Sequence, residues 1–265
     1  MAAHEANTAA TLIARNREVL NLSGYGPELN AAYDVALSAV PALADVEIVS
    51  SSDELPSEFS LARAIPGNPA NGLSHRVCIR TASQQEASEL SHRLLDTLPS
   101  MAQILRTQLR IDQHGGAITP SLVVAHAFLH ELRHARAYME HGDDLGTYLS
   151  QMSRDLDRLP YGRLPVSVLL SLDETERDTL ERTWLTPFAR IADDQHRAYR
   201  SLPAEAEADG FASDLLLANH GQLLDVVVRA ELRQQIPEQI HHDARRLTAG
   251  LFEDPSTDSH HGSVQ

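Results

Sequence analysis

At 265 residues, 42% hydrophobic and 22% charged, the chain has the length for one sizeable domain and the composition of an ordinary globular protein. Its 37 acidic residues against 22 basic ones set a formal net charge of −15, which excludes a nucleic-acid backbone or an anionic membrane surface as the natural partner. One cysteine, Cys78, excludes an internal disulfide and a cysteine-based zinc cluster; its setting in HRVCIRT points to a buried thiol in a strand.

No run approaches the ~20 apolar residues of a membrane span, and MAAHEANTAATLIARNREVLNL has neither a basic leader nor a continuous apolar core. The expectation is therefore a cytoplasmic protein with no membrane partner. All 22 basic residues are arginine. A GC-rich coding sequence and selection against lysine-directed modification would each produce that bias.

In chain order, residues 8–22 and 28–40 carry helical spacing and are joined by the turn SGYGP, so 1–45 reads as a helical lead-in. VEIVSS (46–51) and HRVCIRT (75–81) are enriched in β-branched residues and read as two strands flanking a Pro-, Gly- and Asn-rich stretch. Residues 83–98 and 100–111 return to helical spacing, which Gly115, Gly116 and Pro120 then interrupt. Ser121 can cap the next helix, 121–141, whose apolar residues lie on more than one side, as in a helix running through the middle of a domain. Residues 144–159, 173–202 with a break at Pro187, 204–220, 223–236 and 237–252 also read as helices. These elements define an α+β fold, predominantly helical, with a small N-terminal β-sheet in a domain over 46–252 and a polar, disordered tail over 253–265.

The chemistry concentrates at His130-Glu131-Leu132-Arg133-His134. Two imidazoles one helical turn apart on one face can share a metal ion, and Glu131 beside them can exchange a proton with metal-activated water. A pair of polar residues on a solvated stripe is the plainer reading of the same spacing. Tetrahedral zinc needs a third protein ligand and an open position for water. In AEAEADGFASDLLL, Glu205 and Asp209 sit one turn apart just after Pro203: Glu205 can bind the metal and Asp209 can orient a ligating histidine from behind. Glu207 is rotated away from Glu205 by more than half a turn. An acidic first turn favoured by the helix dipole is the plainer reading here.

His130-Glu131-Leu132-Arg133-His134 followed by Glu205-Ala206-Glu207-Ala208-Asp209 resembles the HExxH plus ExxxD arrangement of the gluzincin metallopeptidases, and within them the small ImmA/IrrE-like group. The resemblance covers 121–141 and 199–217, with Arg133 where that group usually carries glycine. It implies a zincin-like core, zinc held by His130, His134 and Glu205, Glu131 as general base, Asp209 in support, and a protein or peptide substrate. The reaction implied is peptide-bond hydrolysis. Tyr199, His196, Tyr138 and His220 are available by type as the donor to the tetrahedral oxyanion, while His126 fits a supporting role, and HRVCIRT can pair with an extended substrate. The alternative is a catalytically silent zincin-fold binding or regulatory protein in which zinc is structural.

Overall fold

The computed structural model describes residues 2–51, 53–55, 60–68, 71–111 and 118–218. Two helices lead, α1 (Ala2–Leu20) and α2 (Gly26–Ala39), followed by a 3-10 turn at Pro41–Asp45. Leu20, Tyr25, Leu29, Ala32, Tyr33 and Ala36 from this segment are buried together with the sheet and the central helix, so the lead-in is part of the domain core. Gly24 is required by close approach: a Cβ there would lie 2.2 Å from the backbone nitrogen of Gln84, and its N–H bonds the carbonyl of Ala82 at 3.0 Å.

The sheet has three strands, β1 (Glu47–Ser50), β2 (Ala62–Ile65) and β3 (Arg76–Ile79), in the order β1-β3-β2. β3 runs parallel to β1, with Ile48 opposite Val77, and antiparallel to β2, with Ala64 opposite Val77. This corrects two expectations. The stretch between the two anticipated strands contains a third, and HRVCIRT supplies the central strand, whose backbone is paired on both sides and has no edge to offer a substrate. Cys78 is buried on β3, as its setting suggested. Asn16 of α1 braces β1 from the core: its amide donates to the Val46 carbonyl at 2.9 Å and to the Tyr33 hydroxyl at 2.8 Å, and accepts from the Ile48 N–H at 2.8 Å.

Helices α3 (Gln84–Thr97) and α4 (Pro99–Gln108) precede the central helix α5 (Pro120–His141). The cap of α5 is Thr119 rather than Ser121: its hydroxyl accepts from the Leu122 N–H at 3.3 Å and Pro120 takes the first helical position, where a missing N–H is harmless. Fifteen of the 22 residues of α5 are buried, consistent with apolar residues on several sides, and the helix stops at Gly142, whose φ is +44°. Phe128 meets Tyr33 edge-on at 6.4 Å in the main core.

Beyond α5 come α6 (Leu145–Leu156), the short α7 (Val166–Ser171), α8 (Glu174–Trp184), α9 (Phe188–Arg200) and α10 (Pro203–Leu217). Asp173 and Glu176 form a reciprocal capping box that starts α8, and Pro187 separates α8 from α9 as its missing N–H dictates. A second apolar cluster of Leu90, Leu94, Leu98, Leu169, Leu170, Phe188 and Ile191 ties α3, α7 and α9 together. The anticipated helices over 223–236 and 237–252 and the tail over 253–265 lie outside the described residues, and among those described no helix is long and apolar enough to cross a membrane.

Candidate metal centre

Helix α5 carries His130 and His134 on one face, and α10, which packs along it, delivers Glu205 from its first turn and Asp209 from the next. Pro203 opens α10 three residues after α9 ends, which turns the chain back sharply enough to bring the acidic turn against the imidazoles. His130 Nε2 lies 3.1 Å from Glu205 Oε2 and 3.1 Å from His134 Nε2; His134 Nε2 lies 3.4 Å from Glu205 Oε1. One ligand atom from each of the three residues falls within 4.8 Å of the others. His130, His134, Glu205 and Asp209 are all at most 5% exposed. Their burial in one spot is costly unless the charges are compensated there. Two imidazole nitrogens and a carboxylate oxygen are a donor set that suits zinc and leaves one tetrahedral position for water.

Asp209 stands behind His130, with Oδ1 2.8 Å from Nδ1. An Nδ1–H donated to this carboxylate leaves the Nε2 lone pair facing the cluster. Burial pushes the Glu205 carboxyl up, but the hydrogen bonds and charges of His130 and His134 outweigh it and hold Glu205 well below the usual carboxylate range. Asp209 is lowered in the same way, burial being outweighed by His130 and Arg200. For His130, burial and the Arg200 charge act downward, yet Asp209, Glu205 and Glu131 together raise it above an ordinary histidine. The site stabilises positive charge.

No protein-family model, curated protein or solved structure matches this chain. The reading of the centre therefore stands on its own geometry.

Glu131 occupies the neighbouring face of α5, and its Oε2 accepts the Ala64 N–H of β2 at 2.6 Å. The Leu61 carbonyl pairs inward with Arg80, so by alternation the N–H and C=O of Ala62 and Ala64 point away from β3. The outer edge of β2 thus faces Glu131, in the place anticipated for β3. Of the donors named by type, Tyr199 hydrogen-bonds Glu205, and burial, Glu205 and Glu131 raise its phenol well above the ordinary value. Tyr138, one turn beyond His134, is raised by burial first and then by Glu131, Tyr148 and Glu205, and its ring packs against His75 and Tyr148. Both phenols stay protonated donors. His196 points Nδ1 at Ser100 Oγ (2.8 Å) and is pushed down to about 4, by burial and then by Arg200. His126 lies with Nε2 3.4 Å from Ser213 Oγ, outside the three-residue cluster, and burial pushes it down to about 3. His220 lies outside the described residues.

Arg133 ties the outer faces of the two helices, bonding Glu207 at 2.5 Å and Glu140 at 3.0 Å, which accounts for both Arg133 and the outward-pointing Glu207. Two partners were not legible beforehand: the Ala64 N–H, which depends on the unrecognised β2, and Arg200, whose guanidinium bonds Asp209 across the α9–α10 turn.

Proposed function

We propose that the protein is a zinc-dependent metalloendopeptidase with a zincin-like core, acting on a protein or peptide substrate. The observation that carries this reading is the buried convergence of His130 and His134 from α5 with Glu205 from α10, with Glu131 on the adjoining face. His130, His134 and Glu205 would hold the ion. A zinc ion held there would supply Lewis-acid chemistry, polarising a scissile carbonyl and lowering the pKa of bound water towards ~7. Glu131 takes the proton from the attacking water and delivers it to the leaving amine. Tyr199 and Tyr138 keep their protons; Tyr199 is already hydrogen-bonded to Glu205, so Tyr138 would be the hydroxyl available to a developing oxyanion. The outward N–H and C=O of Ala62 and the outward C=O of Ala64 can pair with an extended peptide and lay it beside Glu131, which already holds the Ala64 N–H.

The bond from the Ala64 N–H to Glu131 favours a second reading, a silent zincin-fold binding protein in which Glu131 staples α5 to β2 and zinc is structural. Glu131→Gln separates the two. In a peptidase the variant keeps about one zinc per chain and loses hydrolysis of an unstructured protein substrate. Hydrolysis that persists in Glu131→Gln removes Glu131 from the mechanism. Absence of cleavage in the zinc-loaded wild type, with a lowered unfolding midpoint in the variant, favours the silent protein.

A further inference from the structure

We infer that Arg200 is a positioning residue for the metal centre, acting through Asp209 on His130. The inference rests on the metal-centre reading above but not on catalysis. Arg200 is the last residue of α9, and the turn to Pro203 swings it back over α10. Its Nη2 donates to Oδ1 of Asp209, the same oxygen that lies 2.8 Å from His130 Nδ1. The three side chains are 16%, 2% and 3% exposed, so the chain guanidinium–carboxylate–imidazole runs from the rim of the domain inward to the cluster.

One carboxylate oxygen with two donors on it has a fixed orientation. With Arg200 in place, Asp209 cannot turn away from Nδ1, and the His130 ring is held with Nε2 towards Glu205 and His134. Take the guanidinium away and a nearly fully buried carboxylate is left with His130 alone, free to rotate and carrying an uncompensated charge. By contrast Arg133, inside the motif, ends on the exposed carboxylates of Glu207 and Glu140 and makes no ion pair with a ligand.

A simple α9–α10 staple would use the same ion pair, so the test must read the metal. Zinc dissociation constants are measured by competition with a chromophoric chelator for wild type, Arg200→Gln, Asp209→Asn and the double variant, alongside urea unfolding of each with excess chelator. Arg200→Gln should weaken zinc binding about 10- to 100-fold, the usual scale for a group supporting a ligand. In the Asp209→Asn background the same change should cost no more than about twofold, because its effect passes through that carboxylate. Arg200→Lys, which keeps the charge on a shorter arm, should recover part of the loss and serves if Arg200→Gln does not fold. Unchanged zinc affinity in Arg200→Gln with a lowered urea midpoint makes the pair a staple and overturns the inference, as do penalties that simply multiply in the double variant. A wild type that binds no zinc overturns the metal-centre reading and this inference with it.

Discussion

Mild acid should unfold this protein through its buried neutral histidines, and His196 allows the effect to be isolated. Its imidazole is pushed down to about 4 from an ordinary 6.5, first by burial and then by the Arg200 charge, while Asp209, Asp193 and Glu205 act the other way. Above pH 6.5 the ring is neutral in folded and unfolded chains alike and contributes no pH dependence. Below 6.5 the unfolded chain takes up a proton that the folded one refuses, so stability is lost as the pH falls and the loss levels off near 4. At pH 5 it amounts to about 2 kcal/mol for this one ring. His126, pushed down to about 3 by burial, adds a similar loss of about 2 kcal/mol. Glu205 and Asp209 are lowered carboxylates, whose stabilisation is lost mainly below their ordinary values of 4.5 and 3.8, beneath this window. His130 is raised, so its stabilisation is fully present below 6.5 and is lost only as the pH rises above that value; between pH 7 and pH 5 it adds a small gain that both proteins share. The decisive quantity is a difference. Urea unfolding at pH 7 and pH 5 in excess chelator, for wild type and His196→Gln, should show the variant losing about 2 kcal/mol less than the wild type across that step. Parallel losses in the two proteins would refute the claim that His196 is held neutral by its surroundings.

Three further outcomes follow from particular contacts. Asn16→Ala strands the Ile48 N–H and the Val46 carbonyl in the core and should cost roughly 3 kcal/mol in urea unfolding; a loss under about 1 kcal/mol would mean that the amide does not brace β1. Glu207→Ala removes an exposed partner of Arg133 and should change stability by less than about 1 kcal/mol with zinc content intact, whereas Glu205→Ala, two residues away, should weaken or abolish zinc retention on dialysis. Leu185, 90% exposed with φ at +52° after α8, holds a backbone conformation that suits glycine, so Leu185→Gly should raise stability by about 1 kcal/mol; a drop in melting temperature would mean that its side chain makes contacts worth more than the strain.

What was legible in the sequence was what one helix encodes within itself. His130 and His134 are four residues apart, as are Glu205 and Asp209, and helical periodicity alone puts each pair on one face. That the two faces meet is a tertiary fact, anticipated by the requirement for a third ligand and by the HExxH plus ExxxD resemblance. Strand β2 escaped for the opposite reason. Ala62-Arg63-Ala64-Ile65 has little β preference of its own, sits just before Pro66, and is extended because it pairs with β3. The sheet order could not be read either, since the parallel pairing of β1 with β3 leaves the intervening segment to close over the outer side. Arg200 pairs with Asp209 across nine positions and a turn at Pro203, a separation that no period marks.

The charges around the cluster narrow what it can hold. Arg200 neutralises Asp209, which leaves the Glu205 carboxylate against two imidazoles that are neutral whenever they act as ligands, with the Glu131 carboxylate on the adjoining face. A divalent cation balances that pair of charges. His130 is raised chiefly by its hydrogen bonds to Asp209 and Glu205, and a proton on Nε2 competes with a metal ion for the same lone pair. Among divalent ions, two imidazole nitrogens with a single carboxylate select against calcium and magnesium, which take oxygen donors, and favour zinc. Glu131 adds charge without belonging to the three-residue cluster, so replacing it with Gln should loosen zinc far less than losing Glu205 does. A Glu131→Gln variant that released its metal as readily as Glu205→Ala would place Glu131 among the ligands and displace it from the role of base.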